Sequence, residues 1–289
     1  MSLNPTEMSR KATDLAGRVT TELRAVAALA RAGAIGVAMP HNLLRGLRAM
    51  TRFGAVGGGI VNAAILHGDE TGVVDDLGTL SFRDLDERSN ALADSLVARG
   101  LPDGATIGAL CRNHRGMLDI TYAAAKGGYK LLYLNTDFAG PQARDVSARE
   151  GVQMLVVDEE FLPVVEGIEP EFGTVVAWSD EAVRADGREL LETMIQTGDP
   201  GPRPAPARPG AIVILTSGTT GLPKGAPRSQ PKSLAAPGAI ASKIPFRSRG
   251  TVLIGPPMYH AWGLTMSILA VSTGSTLLLS RRFDGRGSR

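Results

Sequence analysis

The chain has 289 residues, 43% of them hydrophobic and 21% charged, a balance that excludes a chain disordered throughout. A net charge of +2 is too small to point to nucleic acid as a partner. The single cysteine, Cys111, excludes an internal disulfide and fits a reducing compartment, and the 35 glycines with few aromatics suit a tightly turned α/β protein.

From the N-terminus, Glu7, Arg10, Lys11, Asp14 and Arg18 break any early apolar run, so no secretory signal is expected. The apolar stretch 25–39 contains Arg31 and is shorter than the ~20 residues a spanning helix needs. A cytoplasmic protein is therefore expected. Residues 23–67 hold no Asp or Glu but carry Arg24, Arg31, Arg45, Arg48 and Arg52. Helical spacing puts Leu43, Leu47 and Met50 on one face and Arg45, Arg48 and Arg52 on the other. Two readings follow: a helix packed on the main domain with its arginines in water, which we favour, or peripheral contact with the inner face of an anionic membrane. The run Gly54–Gly59 lacks a preceding buried strand and the dinucleotide-binding glycine spacing, and reads as a bend before the domain proper.

From Gly72 onward, regular structure is legible. Val73-Val74 and Thr79-Leu80 flank Asp75-Asp76-Leu77-Gly78, a hairpin. Ser81 and Asp84 form a capping box for a helix with an apolar face of Phe82, Leu85, Leu92 and Leu96, stopped at Gly100. An alternation follows: strand 105–111, helix 116–126, strand 130–134, helix 141–150, strand 152–157, strand 174–178 and helix 181–195. Cys111 falls at the end of a buried strand and reads as a small core residue. The proline-rich segment 198–210 is a linker, since five prolines prevent both helix and ladder. The alternation then resumes with strand 211–215, helix 229–241, strand 251–254, helix 262–271 and strand 275–279. This order predicts a three-layer α/β/α arrangement with mainly parallel sheets. The chain divides into a basic extension (1–68), a first α/β subdomain (69–197), the linker, and the start of a second subdomain (211–289). No zinc-ligand spacing links His41, His67, His114 and His260.

Ala211-Ile-Val-Ile-Leu215 reads as a doubly buried strand and runs directly into Thr216-Ser217-Gly218-Thr219-Thr220-Gly221-Leu222-Pro223-Lys224-Gly225. Such glycines let backbone N–H groups converge on an anion, the hydroxyls add donors, and Lys224 brings a mobile positive charge. A helix expected soon afterwards would add its N-terminal dipole. The pattern is not a Walker loop, because Lys224 follows Pro223 and precedes Gly225. Farther on, Pro256-Pro257-Met258-Tyr259-His260-Ala261-Trp262-Gly263-Leu264 sits at a strand's C-terminal end, where open α/β sheets form ligand crevices. A lone histidine is more often structural, but its place after the anion-type loop makes His260 a candidate donor to a carboxylate or phosphate oxygen. Trp262 reads equally as an acyl-channel wall or a core residue.

The run TSGTTGLPKG resembles the signature of the adenylate-forming superfamily, and the chain looks like the front part of an AMP-forming acyl-CoA synthetase. LSFRDLDERSNALADSLVARGLPDGATIGAL, AAAKGGYKLLYLN and VQMLVVDEEF extend the resemblance to the family's opening hairpin, helices and strands. It implies the incomplete N-terminal domain of such enzymes, with ATP, Mg2+ and coenzyme A as cofactors. The metal would arrive with ATP, since no protein ligand for it is identified. A carboxylic acid, with a fatty acid favoured by the basic extension and the apolar surroundings of Trp262, would be activated to an acyl-adenylate and then to a thioester. By the same resemblance Thr216, Ser217, Gly218, Thr219, Thr220, Gly221 and Lys224 would hold the β- and γ-phosphates. Tyr259 and the catalytic candidate His260 would stand near the carboxylate and α-phosphate, with Trp262 and Gly263 in the same substrate pocket. The family's adenine, ribose and catalytic-lysine motifs are not found here, and the ending Arg281–Arg289 reads as truncated or frameshifted. Strand 275–279 is then expected to lack neighbours, and little or no activity is expected from this chain alone. The competing readings are a non-catalytic remnant that binds nucleotide or a partner, and a kinase-like NTPase, against which the absent Gly-Lys-[Ser/Thr] counts.

Overall fold

The computed structural model describes residues 5–34, 40–180, 187–216, 224–228, 235–244 and 247–282. Two long helices open it, α1 (Pro5–Arg31) and α2 (Pro40–His67). Gly54 breaks α2 with φ 72°, a backbone conformation that glycine adopts without penalty. The chain doubles back there. Gly46 lies against Asn62, and a Cβ at Gly58 would sit 2.6 Å from the Met50 Cα, so the two arms form an antiparallel hairpin centred on Gly54. The expected bend is thus confined to one residue, and Gly57–Gly59 continue as helix. The second arm is the inner one, with Ile60 and Ala63 fully buried. On the first arm Gly46, Ala49 and Phe53 face inward, while Leu47 is 53% exposed. The face expected from leucine spacing is therefore corrected: small residues permit the close helix–helix approach that leucines would block. α1 crosses α7 (Ala235–Lys243), with Ala25 against Gly238.

The hairpin β1 (Thr71–Asp75) and β2 (Gly78–Ser81) forms as the turn residues predict. Helix α3 (Phe82–Ala98) starts at the Ser81–Asp84 capping box. Then come β3 (Thr106–Leu110), α4 (Arg115–Gly127), β4 (Lys130–Tyr133), α5 (Gly140–Glu150), β5 (Val152–Asp158), a short 3-10 helix over Glu159–Val165, and β6 (Thr174–Trp178). Helix α6 spans only Leu191–Thr197. The longer helix expected from residue 181 is corrected at its near end, because Leu190 is extended and bridges Val176; residues 181–186 lie outside the described ones. β7 (Ala211–Thr216) and β8 (Lys224–Arg228) precede α7, and β9 (Thr251–Leu253), α8 (Ala261–Ser272) and β10 (Thr276–Leu278) are the last described elements.

Two sheets result. The larger has the order β6-β5-β3-β4-β7-β8, parallel except for β8. Successive residues alternate between its two faces. Leu131, Tyr133, Met154, Val156, Ile212 and Ile214 join one apolar cluster, and Leu132, Leu134, Leu155, Val157 and Val213 join the other. Both faces are covered, as an apolar run without polar alternation demands. The smaller sheet has the order β2-β1-β10-β9. The last described strand therefore has neighbours on both sides, contrary to expectation, and among the described residues β2 and β9 are the outer strands. The linker separates residues in sequence, yet each sheet draws strands from both sides of it.

Polar ties lock the helices over the larger sheet. Lys126 is fully buried, and its ammonium donates to the Asp86 carboxylate at 2.6 Å, the Asp86 carbonyl at 3.0 Å, Ser89 Oγ at 2.8 Å and Asn90 Oδ1 at 2.8 Å. Burial pulls its pKa down against the opposing pull of Asp86. Arg88 joins α3 to Asp119 of α4 and Glu192 of α6.

Candidate functional site

The loop after β7 and the segment after β9 both follow C-terminal ends of parallel strands, where open α/β sheets form ligand crevices. β7 delivers its end there. Its register with β4 pairs Tyr133 with Ile214, so Thr216 emerges level with the segment just beyond β4. Thr216 and Lys224 face each other across the β7–β8 ladder and close the ends of the intervening loop. Ser217, Gly218, Thr219, Thr220 and Gly221 lie outside the described residues. Lys224 belongs to strand β8, which the sequence reading missed, and α7 is described from Ala235. The helix expected over 229–241 is seen from Ala235 onward, and residues 229–234, where it was expected to begin, lie outside the described ones.

The second candidate element is segment 256–264. Four hydrogen bonds fix it. Asn113, just past β3, donates its side-chain amide to the carbonyls of Ile254 (3.2 Å) and Pro256 (3.1 Å), and its side-chain carbonyl accepts from the Met258 N–H at 2.8 Å. Thr136, just past β4, donates its hydroxyl to the Tyr259 hydroxyl at 3.1 Å. Gly263 lies under the turn, where any Cβ would strike the Pro257 carbonyl, so α8 can begin this close only with glycine there. Tyr259 is buried and its ring lies 4.5 Å from that of His260. His260 is the N-cap residue of α8, yet its side chain makes no cap bond and is exposed. Its imidazole is therefore presented outward rather than used to end the helix. Trp262 is 54% exposed, so it is not a core residue.

A charged rim lies beside this segment. Arg112 forks onto Glu160 at 2.7 and 2.8 Å and holds that carboxyl down at about 2. Arg281, beyond β10, stacks 4.5 Å over Trp178 and reaches Asp180 and Glu160. Sequence reading missed Asn113, Thr136 and this rim. The only trace was their place just beyond buried strands.

Cys111, His114 and Asp158 also meet, with ligand-type atoms within 4.8 Å of one another. All three are buried and already bonded. His114 Nε2 pairs with Asp158 at 2.7 Å, His114 Nδ1 accepts from the Gly116 N–H, and Cys111 faces the Val156 carbonyl. Burial and the neighbouring Asp158 push the thiol pKa well up. This is core structure, as expected for Cys111.

A sequence profile for the family described as AMP-binding enzyme matches residues 62–287. The chain belongs to that family. Among relatives of this AMP-binding chain, a fatty acid–[acyl-carrier-protein] ligase, ScoC of Streptomyces coeruleorubidus, is 30% identical over 214 residues, 72% of this chain and 40% of the relative. The long-chain-fatty-acid–CoA ligase FadD13 of Mycobacterium tuberculosis is 28% identical over 71% of this chain and 40% of its own length. The chain thus spans well under half of these curated relatives. The fold agrees with the inhibitor-bound N-terminal domain of FACL13 from M. tuberculosis, at TM-score 0.68 and 23% identity over 80% of this chain and 58% of that one. It also agrees with the O-succinylbenzoate coenzyme A synthetase of Bacillus subtilis in complex with AMP, at TM-score 0.64 and 21% identity over 78% of this chain and 56% of that one. The α/β fold with mainly parallel sheets read from the sequence is therefore the observed one. The matched stretch begins inside the second arm of α2, leaving α1 and the first arm outside it.

Proposed function

We propose that this chain supplies the phosphate-holding loop and one wall of the acid pocket of an AMP-forming acid–thiol ligase. The observation carrying the reading is the β4–β7 register together with the Thr136–Tyr259 bond, which puts the loop's flank and the His260 wall on one strand edge. In this reading the loop from Thr216 to Lys224 takes the β- and γ-phosphates of Mg-ATP through backbone N–H groups, hydroxyls and the Lys224 ammonium. The substrate carboxylate attacks the α-phosphorus, the bond to the β-phosphate oxygen breaks, and pyrophosphate leaves. The thiol of coenzyme A then attacks the acyl carbon and AMP leaves. His260, free of any capping bond, is the group we place beside the reacting oxygens. Names of the relatives support a fatty acid as substrate, and ScoC raises the thiol of an acyl carrier protein as a second acceptor.

We also propose, over the packed-helix reading first favoured, that the exposed part of residues 23–67 meets an anionic membrane, because Leu44 and Leu47 stand exposed beside Arg45, Arg48 and Arg52. The reading predicts nucleotide binding without family-typical turnover, because cooperating groups are strongly non-additive and only part of the constellation is named here. Incubation with Mg-ATP, coenzyme A and fatty acids of several lengths, following pyrophosphate and thioester, tests it. Robust turnover by the chain alone would overturn the partial-site reading. Pyrophosphate release without thioester would point to the carrier-protein acceptor.

A further inference from the structure

The first arm of the α2 hairpin lies on the outside of the molecule and outside the family-matched stretch. Its inward face is Gly46, Ala49 and Phe53. Its outward face carries two stripes. Leu44 and Leu47, 56% and 53% exposed, stand almost one turn apart. Arg45, Arg48 and Arg52 run beside them and are also exposed. These arginines line a groove of about 640 Å3 between the arm, α3 and the linker, with Arg83 and Arg203 completing its basic rim. Phe53 and Ile65 give the groove an apolar floor.

Charge in the groove is not balanced from within. Arg83 is paired with Asp69, Arg203 with Asp94, and Asp86 is taken by Lys126. Arg52 donates to the Arg203 carbonyl at 3.2 Å and leans over the Phe53 ring. Among the described ion pairs none uses Arg45, Arg48 or Arg52, and Glu87 is the one further acid on the lining. Although α2 as a whole has the length and apolarity of a membrane span, the turn at Gly54 folds it into two short arms, so it lies on the protein rather than crossing a bilayer.

We infer that the outer arm is a docking face for an anionic lipid surface. Leu44 and Leu47 enter the headgroup boundary, and Arg45, Arg48 and Arg52 hold lipid phosphates along the groove. Exposed leucines interleaved with arginines suit a lipid interface, which offers apolar depth and negative charge together. This inference rests on the membrane reading above and narrows it to one face.

The test uses the full chain and sedimentation with phosphatidylcholine vesicles, with and without phosphatidylglycerol. Wild type is expected to bind only the anionic vesicles and to be released by salt. R45Q/R48Q/R52Q should lower partitioning about a hundredfold, from the usual contribution of each arginine near an anionic surface. L44S/L47S should lower it roughly tenfold, from the apolar area left in water. R24Q/R31Q on α1 should leave it unchanged. Circular dichroism reports whether each variant folds, and if the triple arginine variant does not, L44S/L47S decides alone. Wild-type-like binding by the arm variants overturns the assignment, as does equal binding to neutral vesicles. Loss confined to R24Q/R31Q moves contact to α1 and keeps the broader reading, whereas no binding by wild type overturns both.

Discussion

The larger sheet is covered on both faces and tied to its helices by buried ions, whereas the smaller sheet ends, among the described residues, at β9, where Leu253 is 48% exposed. The strands β9 and β10 have three residues each, against seven in β5. The smaller sheet nonetheless carries the segment that presents Tyr259 and His260. Its position is borrowed: Asn113 and Thr136, both from loops of the larger sheet, hold it by hydrogen bonds. Stability and site geometry are therefore separate properties here, the first set under α3 and α4, the second at the seam between the sheets.

Lys126→Ala should break the larger side of this comparison most severely. It strands the Asp86 carboxylate and two buried side-chain acceptors, at a cost of about 3–5 kcal/mol. Urea unfolding measures it, and a loss below about 1 kcal/mol would show that relaxation or water replaces the ammonium. Asn113→Ala should cost less, about 2–3 kcal/mol, because it leaves buried backbone groups of the seam without partners. Its diagnostic effect is regional: amide exchange should quicken in β9 and at the start of α8 while β3–β5 stay protected. Uniform loss of protection would mean that the two sheets open as one unit.

Glu160→Gln should have the smallest effect of the three, fully expressed near neutrality and fading as pH falls, and so sharpens the comparison through pH. The Arg112 fork lowers the Glu160 pKa from 4.5 to about 2. A depressed carboxyl pKa contributes stability above the unfolded value that is lost as pH falls through the folded one. Wild type should thus lose stability between these two values, and the variant should show a flatter acid limb in thermal melts. Superimposable limbs would remove the rim from the account.

How much was legible in the sequence follows the same division. Hairpin, capping box and the alternation through β5 could be read because turn residues and doubly buried strands leave local signals, as with Ser81–Asp84 and Ile212–Leu215. The loop motif stands out by composition alone, and residues 217–223 lie outside the described ones. β8 was not legible, because Lys224-Gly-Ala-Pro-Arg228 has no strand composition and owes its conformation to pairing with β7. The seam was equally silent, as Asn113 meets Met258 only after both sheets are assembled. On the outer arm, leucine spacing pointed to a buried face that Gly46 and Ala49 occupy instead.

The account's central claim is that the Thr216–Lys224 loop holds the phosphates of ATP. Isothermal titration of Mg-ATP into wild type and Lys224→Ala tests it most directly. The account predicts measurable binding by wild type and about tenfold or greater weakening in the variant, the usual scale for a charged hydrogen bond, with an unchanged unfolding midpoint. Equal, measurable affinities in the two proteins would contradict it.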